Sequence, residues 1–312
     1  MLERILSLLS PALSHAGAIL VDGTLGMGGH SRALLEANPN ARLIGIDQDE
    51  NALAVAGEHL ADFADRTTLV QARFDSLTQV LENAGVGATE RGVDAILLDL
   101  GLSSLQIDEA ERGFSYMHDA SLDMRMDTTR ELTAATIVNT YEASELVRII
   151  RTYGEEKLAQ RIVAQIVANR PINTTGELVA AIDQALPAAV RFRHGSSSHP
   201  AKRTFQALRI AVNAELEALQ AVIPQALAAL AVDGVLAIIS FQSLEDRYVK
   251  DAFRTATQDS APAGLPYVPE AFQARFVNLT RGAEVACEAE VNGNSRSASA
   301  KLRAVKRIKE DA

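Results

Sequence analysis

One short unit near the start constrains this chain more than any other feature. An aliphatic run, Ala18 to Asp22 (AILVD), leads into the turn G-T-L-G-M-G-G and a helix-like stretch from His30 to Glu36. A second aliphatic run, Arg42 to Asp47 (RLIGID), then stops on an acid. Strand, glycine turn, helix and strand in that order make a right-handed crossover between parallel strands. The rhythm continues. Asn51 to Leu60 puts Leu53, Ala56 and Leu60 on one helical face, and Ser76 to Ala84 is again helical. Thr67 to Ala72 and Val93 to Asp99 are further strands. Strands aliphatic on both faces belong to a parallel sheet covered by helices on both sides, so the fold class is α/β.

The alternation stops for about a hundred residues. Ser103 to Asp127 is polar and irregular, and Ala143 to Leu186 reads as helix: Ala143–Tyr153, Glu155–Ala168 and Thr175–Ala185, the last opening on a capping-type N-T-T-G-E. A helix from Phe205 to Leu230 precedes three more strands, Gly234–Phe241, Arg275–Thr280 and Lys301–Ile308. The simplest arrangement is a discontinuous α/β core, residues 1–103 and 205–312, split by a helical insertion over 104–204.

The turn dictates chemistry. Glycines let backbone approach a ligand, and the helix behind them offers free N–H groups to an anion. Asp47, at the end of the next strand, stands where a carboxylate can accept both hydroxyls of a ribose. A nucleoside cofactor is implied. A dinucleotide fingerprint is G-x-G-x-x-G, whereas the order here is G-x-x-G-x-G-G with Asp22 before it. S-adenosylmethionine, which carries a carboxylate, an ammonium and a sulfonium, suits an acid beside a helix N-terminus better. Asp99 ends the fourth strand at the same sheet edge. Three other readings stay open on residues alone: a methyltransferase of DNA or protein, an NAD-dependent dehydrogenase, and a non-enzymatic RNA-binding module.

Charge adds a partner. The net charge is −10, which disfavours non-specific coating of nucleic acid, yet the charge is segregated. Gln184 to Ala214 holds no acid but has Arg191, Arg193, Lys202, Arg203 and Arg209, and Ser295 to Lys309 holds no acid against six basic residues. These tracts are candidates for reading phosphates. Cys287 is the single cysteine, so no intramolecular disulfide or cysteine-built zinc site is available. Asp123, Arg125 and Asp127 read as an internally paired loop, and no metal is expected. No run of about 18 apolar residues occurs, since 221–239 is broken by Pro224, Gln225 and Asp233. The opening MLERILSLLS lacks the basic start of a secretory signal, so the expectation is a cytoplasmic protein with no membrane partner.

Longer segments are specific enough to suggest a family. DGTLGMGGHS (22–31), IDQD (46–49), LLDLGLSS (97–104), DEAERGFSYMHDASLDMRMD (108–127), TYGEE (152–156), RTFQALRIAVNAEL (203–216), IISFQSLEDR (238–247) and SASAKLRAVKR (297–307) follow one another along nearly the whole chain. In these the chain resembles the bacterial 16S ribosomal RNA (cytosine-N4) methyltransferases, the MraW family. The resemblance implies a Rossmann-like class I methyltransferase sheet with an inserted helical, RNA-recognising domain. It also implies S-adenosylmethionine-dependent methylation of the exocyclic amine of a cytosine in the decoding region of small-subunit RNA. Carried over by residue, the cofactor contacts fall on Gly28, Gly29, His30, Asp47, Phe74, Asp99 and Gln106. Phe74 can lie on the adenine face and Gln106 can bond a polar end of the cofactor. RNA contacts are assigned to Arg191, Arg193, Lys202 and Arg203 and to the basic C-terminal strand. The partner is the small ribosomal subunit, and a homodimer is compatible with the sequence.

The chain departs from the pattern in three places. Members usually open with an H-x-P-V segment where this sequence starts at MLERIL, Gln242 stands where a histidine is typical, and RFRHGSSSHPAKR is longer than usual. The Asp/Asn-Pro-Pro-aromatic motif of many amino-methyltransferases is absent, and Asp99-Leu100-Gly101-Leu102 takes its place. Asp99 is therefore the expected catalytic group, ordering the methionine end of the cofactor and accepting from the amine. Phe114, Tyr116 and Phe241 could stack on the base, although core packing is the simpler role for each.

Overall fold

A computed structural model describes residues 1–86, 92–187, 199, 201–262 and 267–310 of the chain. Two compact units result, one made of Met1–Gly101 with Leu216–Ala312 and the other of Leu102–Glu215.

The first unit carries the sheet. Among the described residues its strands are β1 (Ile19–Asp22), β2 (Arg42–Asp47), β3 (Thr67–Gln71), β4 (Val93–Asp99), β5 (Leu230–Ser240), β6 (Phe276–Asn278), β7 (Glu284–Val285) and β8 (Lys301–Arg307). They lie in the order β3-β2-β1-β4-β5-β8-β6, with β7 also on β8. The β1–β2, β2–β3, β1–β4 and β4–β5 pairings are parallel, and β8 is antiparallel to both β5 and β6. Alternate side chains of each central strand feed opposite cores. Ile96, Leu98, Leu236 and Ile238 enter one, while Ala95, Leu97, Ala237 and Ile239 enter the other. Burial on both faces is why these segments are aliphatic without interruption. The strand order reverses between β1 and β4, and a crevice outside the carboxyl ends of a parallel sheet opens at such a reversal.

The second unit is helical. Ala134–Thr140, Ala143–Tyr153, Ala159–Ala168, Thr175–Ala185 and Ala201–Asn213 bury one face each in a core that includes Ile137, Ile149, Ile162, Leu178 and Leu208. Leu122 and Met124, from the segment expected to be merely polar and irregular, are buried in it too, and Met126 beside them is also buried. Between them Asp123 and Arg125 form a two-pronged ion pair, Nε to Oδ1 at 2.8 Å and a terminal nitrogen to Oδ2 at 2.7 Å.

The expected boundaries shift in four places. The helix expected over 205–230 is two, Ala201–Asn213 and Glu215–Ala229, because Ala214 takes a left-handed φ of 50°. The second unit accordingly ends at Glu215 and not at 204, since Ala201, Phe205, Ala207 and Leu208 pack in the helical core. The helix expected from Glu155 starts at Ala159 instead, because Glu155 is left-handed at φ 49° and Glu156 accepts the N–H of Leu158. β5 starts at Leu230, ahead of the expected Gly234, through an irregular register opposite Val93 and Ala95. Among the described residues no helix is long and apolar enough to cross a membrane.

Candidate active site

The glycine turn after β1 is tied down at both ends. Gly23 donates its N–H to the carbonyl of Leu97, and a side chain on Gly23 would place its Cβ 2.5 Å from Leu98 Cδ2, so any other residue there would push the Leu98 side chain aside. Gly26 and Gly28 both adopt left-handed φ, 53° and 79°, which glycine supplies at least cost. Gly28 caps the helix Gly29–Ala37, and a Cβ on Gly29 would meet nothing within 4 Å. The backbone at this helix N-terminus is therefore open for an anion to approach. Asp47 reaches across from β2 and braces the turn, accepting from Gly26 N at 2.8 Å on Oδ2 and from Asp49 N at 2.9 Å on Oδ1. The Gln48 N–H also stabilises the carboxylate, which keeps capacity for a hydroxyl donor.

Asp22 and Asp99 end the two central strands. Asp22 is 2% exposed and accepts from Ser31 Oγ at 2.7 Å and from Thr24 N at 3.2 Å. Burial still pushes its pKa up to about 6. Asp99 donates its N–H to Thr24 Oγ1 at 2.6 Å, and its Oδ2 lies 3.4 Å from His30 Nδ1. Its Oδ1 is buried without a hydrogen-bond partner among the described residues. Burial, then the charges of Asp22 and Glu245, push the Asp99 carboxyl up to about 7. Burial lowers the pKa of His30, keeping its ring neutral, and raises that of Asp47. A neutral imidazole beside crowded carboxyls leaves this edge short of positive charge, and a buried orphan acceptor calls for a cationic or N–H donor.

Phe74 opens a 3-10 turn just past β3, half-buried, with its Cβ 3.5 Å from where a Gly23 side chain would start. Ala72 N bonds the carbonyl of Asp47, which sets the loop carrying Phe74 beside β2. The first unit thus assembles Gly28, Gly29, His30, Asp47, Phe74 and Asp99 along one sheet edge. Gln106 belongs to the second unit. It is buried, and its Oε1 accepts the N–H of Ser103 in a capping box on the short helix Ser104–Asp108, so that oxygen serves the helix.

A model of the MraW methylase family matches residues 1–308. The chain belongs to that family. "Ribosomal RNA small subunit methyltransferase H" of Streptomyces avermitilis is 52% identical over 315 residues, covering 100% of this chain and 97% of its own. The protein so described in Cutibacterium acnes is 54% identical, over 99% of this chain and 91% of its own. That of Mycolicibacterium smegmatis is 52% identical, over 99% and 83%. Membership makes the chain an S-adenosylmethionine-dependent methyltransferase and removes the dehydrogenase and non-enzymatic readings. The edge fits that cofactor: the buried carboxyls of Asp22 and Asp99, short of positive charge, suit a cationic group, and the open backbone at Gly29 suits a carboxylate.

For this methylase, sequence reasoning overlooked three supports. Thr24 joins the turn to Asp99, Ser31 holds Asp22, and buried Glu245 accepts both Phe241 N at 2.9 Å and Gln242 N at 3.1 Å. Glu245 was legible as the acid three places into Q-S-L-E, a capping-box spacing. The other two were hidden in the motif itself.

The basic tracts fare unequally. Arg191 and Arg193 lie outside the described residues. Lys202 is exposed, Arg203 is exposed but sits 3.6 Å from Glu156, and Arg209 is paired with Glu215 at 2.8 Å. In the C-terminal strand several basic side chains have protein partners. Arg303 bonds Asp246 at 2.7 Å, Lys306 pairs with Asp233 at 2.6 Å, and buried Arg307 donates to the Leu230 carbonyl at 2.6 Å. Those charges therefore have partners within the unit that carries the sheet. Tyr116 stacks on His199 at 4.8 Å and packs with Phe114 against the helical core.

Proposed function

We propose that this methylase transfers a methyl group to the exocyclic N4 amine of a cytosine in the decoding region of small-subunit ribosomal RNA. The small-subunit RNA named for its relatives supports the substrate class, and the unpartnered carboxylate oxygen of Asp99 carries the choice of an amine. A cytosine amine is a weak nucleophile because its lone pair is delocalised into the ring, so its protons must be held as the new bond forms. S-adenosylmethionine supplies an electrophilic methyl on its sulfonium. The residues that would hold it are Gly28, Gly29 and His30 at its carboxylate, Asp47 at the ribose, Phe74 against the adenine, and Asp99 and Gln106 at its polar end.

Asp99 then has a second task. With a pKa near 7 it is poised to take the proton the amine loses, as a general base working close to ambient pH should be. Positioning donor and acceptor contributes as much as proton removal, because well-oriented groups reach effective molarities worth roughly 7–11 kcal/mol of barrier. The base must leave its stack or come from unpaired RNA to reach this edge. The second unit, through Arg191, Arg193, Lys202 and Arg203, would dock the phosphates. Transfer from labelled cofactor to small subunits of a strain lacking the protein tests the reading. It requires the label in N4-methylcytidine, and label in any other nucleoside rejects it.

A further inference from the structure

Gln242 is a second orphan at the same edge. It opens the helix Ser243–Ala256 directly after β5 in a capping-box arrangement with Glu245, is 9% exposed, and its buried Oε1 completes no hydrogen bond among the described residues. Its backbone is fixed, since Glu245 Oε2 accepts the N–H groups of both Phe241 and Gln242. The turns after β4 and β5 touch: a Cβ on Gly101 would lie 3.4 Å from the Phe241 ring, and Leu100 N bonds Ile239 O at 2.9 Å. Gln242 therefore stands one strand beyond Asp99. An amide oxygen buried with no donor is costly unless something else supplies one.

The order of strands says what supplies it. Along the edge, Phe74 follows β3, Asp47 ends β2, the glycine turn follows β1 and Asp99 ends β4. The groups suited to adenine, ribose and the methionine end thus run in one direction and stop at β4. The next place in that direction is the end of β5, where a methyl acceptor would meet the methionine end. An exocyclic amine carries two N–H donors, and the edge there offers two unpartnered acceptors, Asp99 Oδ1 and Gln242 Oε1.

We infer that Gln242 is a substrate-binding residue whose Oε1 accepts one N–H of the target amine while Asp99 Oδ1 accepts the other. This rests on the cytosine-N4 reading. The amide takes no proton; it holds the amine so that its lone pair turns out of conjugation toward the methyl.

The test compares wild type with Gln242→Leu, which keeps the volume and removes the acceptor, and with Gln242→His, which keeps an acceptor. Affinity for S-adenosylmethionine is read by calorimetry, and kcat and KM by transfer to hypomethylated small subunits. Gln242→Leu should bind the cofactor within about twofold of wild type yet lose on the order of 10- to 100-fold in kcat, the cost of one lost hydrogen bond at the reacting group. Gln242→His should recover most of that loss. Unchanged kcat in Gln242→Leu overturns the inference, and so does cofactor affinity falling in step with kcat, which would make Gln242 a cofactor ligand or a structural support. If wild type marks an atom other than cytosine N4, the functional reading fails; if it marks N4 and Gln242→Leu is as fast, only the assignment of Gln242 fails.

Discussion

At the scale of single residues, the site is a set of carboxyls held where carboxyls are uncomfortable. Asp22 and Asp99 have folded pKa values of about 6 and about 7, above the usual carboxylate value near 4. A group whose pKa rises on folding stabilises the fold fully at low pH, and that contribution disappears as pH climbs through the folded value. Stability of the cofactor-free protein from these two groups should therefore fall between about pH 4 and pH 7. Asp22→Asn removes the buried charge but keeps an acceptor for Ser31. It should raise stability at pH 8 by about 1–2 kcal/mol, part of the roughly 3 kcal/mol that a shift of about two pKa units represents, and gain about half as much at pH 5. Urea unfolding at the two pH values checks this; equal gains at both would mean that ionisation is not the cause. Asp47 and Asp99 were legible because each ends an aliphatic run. Ser31 and Thr24 were not, because a hydroxyl in a glycine turn signals nothing about which carboxylate or amide it will face.

Among secondary elements, local pattern and long-range demand part company. The strands were readable because burial on both faces leaves no polar residue to blur them. The break at Ala214 was not, since neither glycine nor proline marks it. Its cause lies far along the chain: Asn213 turns inward, its Oδ1 accepting Met126 N at 2.8 Å and its Nδ2 donating to Met124 O at 2.8 Å. The buried stretch 122–126 has no sheet or helix to satisfy its backbone, and Asn213 does so instead. Asn213→Ala should cost about 1–3 kcal/mol, the usual penalty for stranding buried backbone groups, and should melt the second unit first. Hydrogen exchange resolved by segment checks it, with early exchange expected over 122–126. In the same way, composition marked the C-terminal strand as free positive charge, but Asp233 and Asp246 are brought to it only by folding.

Across the whole molecule, the proposed chemistry and the proposed docking charge fall in different units of the chain, so they should separate in experiment. Replacing Arg191, Arg193 and Lys202 by alanine should weaken RNA binding and lower the salt-dependence slope by up to about 2, at roughly 0.7 for each cation on single-stranded RNA. Cofactor affinity should not move. Lys306→Ala, whose charge is already met by Asp233, should leave the slope as it is. An unchanged slope in the triple variant would remove the tract from RNA recognition. The division of the chain into two units was legible in outline from where strand signals lapse. Its second boundary was not, because the helix Ala201–Asn213 spends its apolar face on the helical core.

The central claim is that the carboxyl ends of β1, β2 and β4 grip S-adenosylmethionine. Titration calorimetry on the pure protein tests it most directly. One cofactor should bind per chain, binding should be abolished or greatly weakened in Asp47→Ala, and affinity in wild type should fall as pH drops below about 7 and protons compete for Asp99. Undiminished binding in Asp47→Ala, or affinity flat from pH 8 to pH 5.5, would contradict it.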